Sequence, residues 1–210
     1  MSRSRVPVAV IAVLALAAPA AAEAAELTTA RPCYTSGQAM TIRGAGWLPG
    51  SRWSVQGEQI FDSGVTGDGG TFTSTNAEAP LLPADGSTRP QTFTIRGSQD
   101  AAEVASTTFK VVNFLARPVQ PFGNPVRRTR WIFSGFKPGR RIYVHVTRRG
   151  ETYTTEAGWG DADCGILRTR LRRLPGVPAS RIRRGRYRVY VDNRRAFSPG
   201  GLQYRASITI

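Results

Sequence analysis

A ten-residue corner occurs twice in this chain. Gly46-Trp47-Leu48-Pro49-Gly50-Ser51-Arg52-Trp53-Ser54-Val55 returns as Gly135-Phe136-Lys137-Pro138-Gly139-Arg140-Arg141-Ile142-Tyr143-Val144. Each copy reads as a strand ending at glycine, an aromatic plug, a Pro-Gly turn and a second strand. Proline presets φ for the first central position of a type II turn, and glycine supplies the positive φ required at the next. A corner used twice predicts one small fold made twice.

The flanking segments agree. Short alternating runs at 27–30, 39–43, 52–56, 59–65, 71–76, 91–96 and 106–112 predict seven strands, punctuated by Gly and Pro. Met40, Ile42, Trp53, Val55, Phe72, Phe93, Ile95, Phe109 and Val111 fall on their inward positions. The second half repeats the plan at 128–133, 141–147, 151–157, 165–171, 185–192 and 205–210, and the 158–165 turn resembles the 67–70 turn. No stretch of the mature chain keeps a 3.6-residue period for three turns. The expected fold is all-β, two tandem β-sandwiches at 27–114 and 115–210, joined by an apolar link over 113–118 with no Gly/Ser tract.

Residues 1–22 read as a secretory leader: Arg3 and Arg5, an apolar run from Val6 to Ala18, then Ala20-Ala21-Ala22 for cleavage. The run is shorter than the ~20 residues of a spanning helix, and no other segment is long enough. A secreted or envelope-associated protein is expected, with no transmembrane segment in the mature chain.

Charge divides where the repeat does. Residues 23–115 hold 6 Lys or Arg and 9 Asp or Glu, a net of −3; residues 116–210 hold 21 and 5, a net of +16. Like charges at that density repel one another and weaken folding, so two readings stand for the second half: contact with an anionic partner, or outward strand positions kept charged for solvation alone.

Gly185-Arg186-Tyr187-Arg188-Val189 resembles the start of strand F in immunoglobulin-like domains, with Val189 where antibody domains carry a cysteine. The Pro-Gly corners, Arg31-Pro32-Cys33-Tyr34 and Cys164-Gly165 resemble exported actinobacterial proteins with tandem immunoglobulin-like modules. There is also a distant similarity to neocarzinostatin-type sandwiches, whose disulfides lie within one domain, an arrangement neither half here can form. These are fold motifs, and the resemblance implies no catalytic or ligand-binding residues.

The two cysteines stand one in each half, in a chain bound for an oxidising compartment. A Cys33–Cys164 bridge fixing the two modules is the favoured reading; two free thiols or an intermolecular bond are the alternatives. His145 is the single histidine, and strand alternation puts it on the outer face beside Tyr143 and Thr147. No second catalytic group accompanies it, no Gly-x-Ser-x-Gly elbow exists, and one His with two separated Cys makes no zinc site. Asp161-Ala162-Asp163 lacks the rest of a calcium loop and reads as a turn. Glu58 and Asp62 lack the stacking residues of a glycosidase site. Neither catalysis, metal nor cofactor is expected.

The arginines sort by strand. Arg128, Arg130, Arg168, Arg170 and Arg172 are expected on the outer face of strands B and E. Arg141, Arg186, Arg188 and Arg205 are expected on the outer C–F–G face, interleaved with Tyr143, His145 and Tyr190. Basic and aromatic side chains together grip polyanions. The expected role is therefore a structural or adhesive module pair whose second module contacts an anionic wall polymer or lipid surface. Base-specific nucleic-acid readout lacks a groove-entering element. A small-ligand carrier is the alternative, and it requires an open apolar cleft.

Overall fold

The computed structural model of the chain describes residues 24–120, 122–200 and 204–210; the leader expected over residues 1–22 lies outside them. Among the described residues, fifteen strands form four sheets, with a single 3₁₀ turn at Ala179–Arg181. No described helix is long and apolar enough to cross a membrane.

In the first sandwich, β1 (Glu26–Thr29), β3 (Ala39–Ala45) and β6 (Phe72–Glu78) form a sheet in the order β1-β3-β6. It faces a sheet ordered β2-β8-β7-β4-β5, from β2 (Cys33–Thr35), β4 (Arg52–Gly57), β5 (Ile60–Val65), β7 (Gln91–Gln99) and β8 (Ala102–Val112). In the second, β9 (Leu115–Pro118), β10 (Arg128–Ser134) and β13 (Leu167–Arg172) are ordered β13-β10-β9. They face β12-β11-β14-β15, built from β11 (Arg141–Arg148), β12 (Glu151–Trp159), β14 (Arg186–Asp192) and β15 (Tyr204–Thr209).

Period-two alternation fills each sandwich from both sheets. The first core gathers the nine inward residues expected from the sequence around Trp47. The second gathers Trp131, Phe133, Ile142, Val144, Val146, Tyr187, Val189 and Val191. Tyr187 closes its strand by a tyrosine corner: its hydroxyl accepts from the Arg183 N–H at 2.8 Å and donates to the Arg183 carbonyl at 3.0 Å.

Each corner is locked in the same way. Gly50 and Gly139 take φ of 66° and 60° after their prolines. The aromatic plug then meets a later glycine: an ideal Cβ on Gly70 would lie 2.0 Å from the Trp47 carbonyl oxygen, and one on Gly165 would lie 2.0 Å from that of Phe136. Both glycines have positive φ, 65° and 63°. The repeat thus includes a contact between segments distant in sequence.

Two strands were not expected. β2 pairs in parallel with the end of β8, and three residues are too few to show alternation. β9 takes most of the stretch expected as a connector. Leu115, Ala116 and Pro118 are buried against β10, and proline is tolerated because β9 is an edge strand. The connection shrinks to Asn113 and Phe114.

At the junction, Cys33 and Cys164 form a disulfide spanning 131 positions, packed with Val112 and Ile166. Lys110 Nζ donates to Asp163 Oδ2 at 2.7 Å, and this hydrogen bond with the carboxylate's charge raises the Lys110 pKa. Asp161 Oδ1 accepts from the Cys164 N–H at 2.8 Å, a side-chain bond three residues along that holds the cysteine in place.

Candidate functional site: the basic faces of the second sandwich

The outer surface of the β9–β10–β13 sheet carries an arginine ladder. Antiparallel register sets Arg128 opposite Arg172 and Arg130 opposite Arg170. All four are exposed, as is Arg168. Like charges directly across a strand pair are destabilising. Arg173 is not part of this surface: it is buried, its guanidinium donating to the Gly123 and Thr209 carbonyls, and burial lowers its pKa.

The seven side chains expected on the C–F–G face do not form one patch. Arg186, Arg188 and Tyr190 line a groove of about 740 Å³ at the end of β11. Arg205 lies beside it, donating to the Pro199 carbonyl at 2.9 Å with its guanidinium 5.8 Å from the Tyr190 ring. Arg141 stands at the far end of β11, donating to Glu156 at 3.2 Å and stacked 5.1 Å over Trp159. Tyr143 and His145 point outward as the alternation requires but are covered, at 8% and 0% exposure. The expectation of a surface histidine is thus corrected. The Phe197 ring, from the loop between β14 and β15, folds over the sheet 5.4 Å from His145 and 5.0 Å from Tyr190.

The groove also holds Arg184, from the basic run 181–184 that the sequence sets just before β14 at this end, and Arg148, Arg149 and Phe197, which strand alternation did not bring to this place. Among the described residues no carboxylate lines it, and no ion pair involves any of its five arginines. Arg148 is fixed by neutral acceptors: the Arg183 carbonyl at 3.0 Å, the Arg184 carbonyl at 2.6 Å and the Tyr187 hydroxyl at 2.7 Å. Arg149, on the β11–β12 turn, has a positive φ of 49°, and Gly150 follows at 84°. The turn and the tyrosine corner together hold the cationic walls apart.

Beneath Phe197, His145 joins two residues the sequence reading passed over. Its Nδ1 is 2.9 Å from Thr154 Oγ1 and its Nε2 is 3.3 Å from Asp192 Oδ1. A carboxylate can only accept, so that contact puts a proton on Nε2. Hydroxyl, imidazole and carboxylate are the residue types of a nucleophilic relay, but this imidazole is sealed from solvent and serves as a buried polar clasp across three strands. Asp192 also accepts from the Arg194 N–H at 2.7 Å, tying down the loop that carries Phe197. Asp192→Ala is expected to cost about 2 kcal/mol, because it strands a buried ring nitrogen. Urea denaturation measures this, and a His145→Phe/Asp192→Ala double variant should recover part of the loss.

No family model and no curated protein matches the sequence. Among solved structures, a tetra-tandem repeat from the extending region of a large adhesion protein is similar at 12% identity and a TM-score of 0.28, covering 87% of this chain and 47% of that one. The chain thus spans about half the length of that structure. The human OSCAR ligand-binding domain is similar at 14% identity and a TM-score of 0.35, over 89% of this chain and 97% of that one. A β-glycosidase from Bacteroides vulgatus is similar at 8% identity and a TM-score of 0.30, over 90% of this chain and 25% of that one. At these identities and TM-scores the likenesses assign no activity to this chain.

Proposed function

We propose that this is an exported, non-enzymatic structural or adhesive protein of two modules, 27–114 and 115–210, and that the second module grips an anionic polymer of the cell envelope. The groove of Arg148, Arg149, Arg184, Arg186 and Arg188 carries the reading. Five arginines share one concave surface with no carboxylate among its described lining residues, flanked by Tyr190 and Phe197. Cations held together without counter-charge repel one another, and a bound polyanion relieves that repulsion. The aromatic rings offer faces for the polymer's apolar parts. The arginine ladder on the opposite face extends the positive field. A disulfide between the sandwiches accords with an oxidising compartment.

Retention on purified envelope tests this reading. The wild-type chain should bind at low ionic strength and elute in moderate salt, as contacts to exposed charges are screened. Arg186→Ser/Arg188→Ser should reduce retention about tenfold and flatten its salt dependence. Equal retention of the two proteins rejects the groove as the binding surface.

A further inference from the structure

The junction contains a second concave site, independent of the arginine groove. A cleft of about 790 Å³ opens between the sandwiches, with both halves of the Cys33–Cys164 disulfide in its lining. Ligand sites commonly occupy about 300–1,000 Å³ and favour interfaces between domains. The apolar part of the lining is contributed from both sides of the joint: the half-buried Phe114 of the connection, backed by the buried Tyr34 of β2 and Phe136 of the second corner. The Phe114 and Phe136 rings lie 5.0 Å apart.

The polar part of the cleft is cationic. Arg31, Lys137 and Arg140 line it, all three are exposed, and no carboxylate is among the described lining residues. None of the three takes part in an ion pair among the described residues. Their backbone is held in position: the Arg31 N–H donates to the Tyr34 hydroxyl at 3.0 Å, and the Lys137 N–H donates to Asn193 Oδ1 at 3.0 Å. An aromatic wall beside three cations without counter-charge matches a molecule that is itself divided in this way.

We infer that the inter-module cleft binds a small amphipathic anion, a ring-bearing body with a carboxylate, sulfonate or phosphate group. The ring lies against Phe114, which is backed by Phe136, and the anionic group faces Lys137, Arg140 and Arg31. Such a ligand would touch both sandwiches at once, so its binding would also stiffen the joint.

Anilinonaphthalene sulfonate is a probe of this chemistry, and the neutral phenylnaphthylamine is its uncharged counterpart. Titrated into the folded full chain, the sulfonate should fluoresce with saturable binding near one per chain. Lys137→Glu/Arg140→Glu, at exposed positions that leave both cores intact, should weaken that binding at least tenfold and change the neutral probe's binding by less than about twofold. Arg186→Ser/Arg188→Ser should bind the sulfonate as the wild type does, which separates this site from the envelope-binding groove. Three results overturn the inference: no saturable binding, equal binding by the charge-reversed variant, or loss of the probe with the groove variant instead. Melting curves of each variant confirm that a loss of binding is not a loss of fold.

Discussion

Gly165→Ala is expected to destabilise the second sandwich by about 3 kcal/mol or more. Two costs add. The backbone there has φ of 63°, a region that charges an L-residue about 1–2 kcal/mol. The new methyl would also lie 2.0 Å from the Phe136 carbonyl oxygen, a backbone atom that no side-chain rotation can move aside. Forcing that contact apart shifts the corner and its aromatic plug, and overpacking of this kind costs about 1–3 kcal/mol. Gly139→Ala provides the comparison. Its φ of 60° is nearly the same, and a Cβ there meets no heavy atom within 4 Å, so only the conformational cost applies. The difference between the two variants in urea denaturation isolates the carbonyl contact. Gly70→Ala should repeat the loss in the first sandwich, where the same 2.0 Å approach is made to Trp47. If Gly165→Ala and Gly139→Ala cost the same, the closeness of that contact is wrong.

Removing the disulfide is the second large change. A link across 131 positions withdraws more entropy from the unfolded chain than a short loop does. The chain-entropy relation gives about 5 kcal/mol for a loop of this length, and native disulfides typically contribute about 2–5. Cys33→Ser/Cys164→Ser should therefore lower the melting temperature by about 10 °C, on a scale of about 2–4 °C per kcal/mol for a chain of this size. The two sandwiches have separate hydrophobic clusters, so calorimetry of the variant should resolve two transitions. The Lys110–Asp163 pair is exposed and cannot replace the covalent link, least of all in salt. An unchanged melting profile would show that the cystine contributes nothing to stability.

The fold was legible because its signals are local. Pro-Gly after an aromatic residue fixes the corner, and alternation fixes which side chains enter the core; Met40, Val55, Ile95, Val144 and Val189 all lie where the pattern puts them. The features that were missed depend on distant partners or weak local chemistry. The β7–β8 hairpin turns at Asp100-Ala101, both with positive φ. Asp-Gly would have marked such a turn, whereas alanine hides it, and β8 extends four residues further back than expected. β9 was hidden by Pro118, which reads as a break until its edge position is known.

The site was legible only in part for a related reason. Alternation correctly aimed His145 and Tyr143 away from the core, but facing outward is not the same as being exposed. The segment that covers them arrives from the loop after β14, and Phe197 in that loop has no periodic neighbours to announce its role. Arg148 and Arg149 join Arg184, Arg186 and Arg188 through the tyrosine corner and a turn. A face defined strand by strand omits both.

The position of the cystine has a mechanical consequence. Cys33 lies near the start of the first sandwich and Cys164 lies beyond the middle of the second. A pull applied between the described ends of the chain follows the covalent route from residue 24 to Cys33, across the sulfurs, and from Cys164 to residue 210. The intervening segment hangs as a closed bight outside the line of tension. At roughly 3.4 Å per residue, about 450 Å of slack is locked away. Under such a pull only the segments outside the loop can extend until a reductant cuts the bridge.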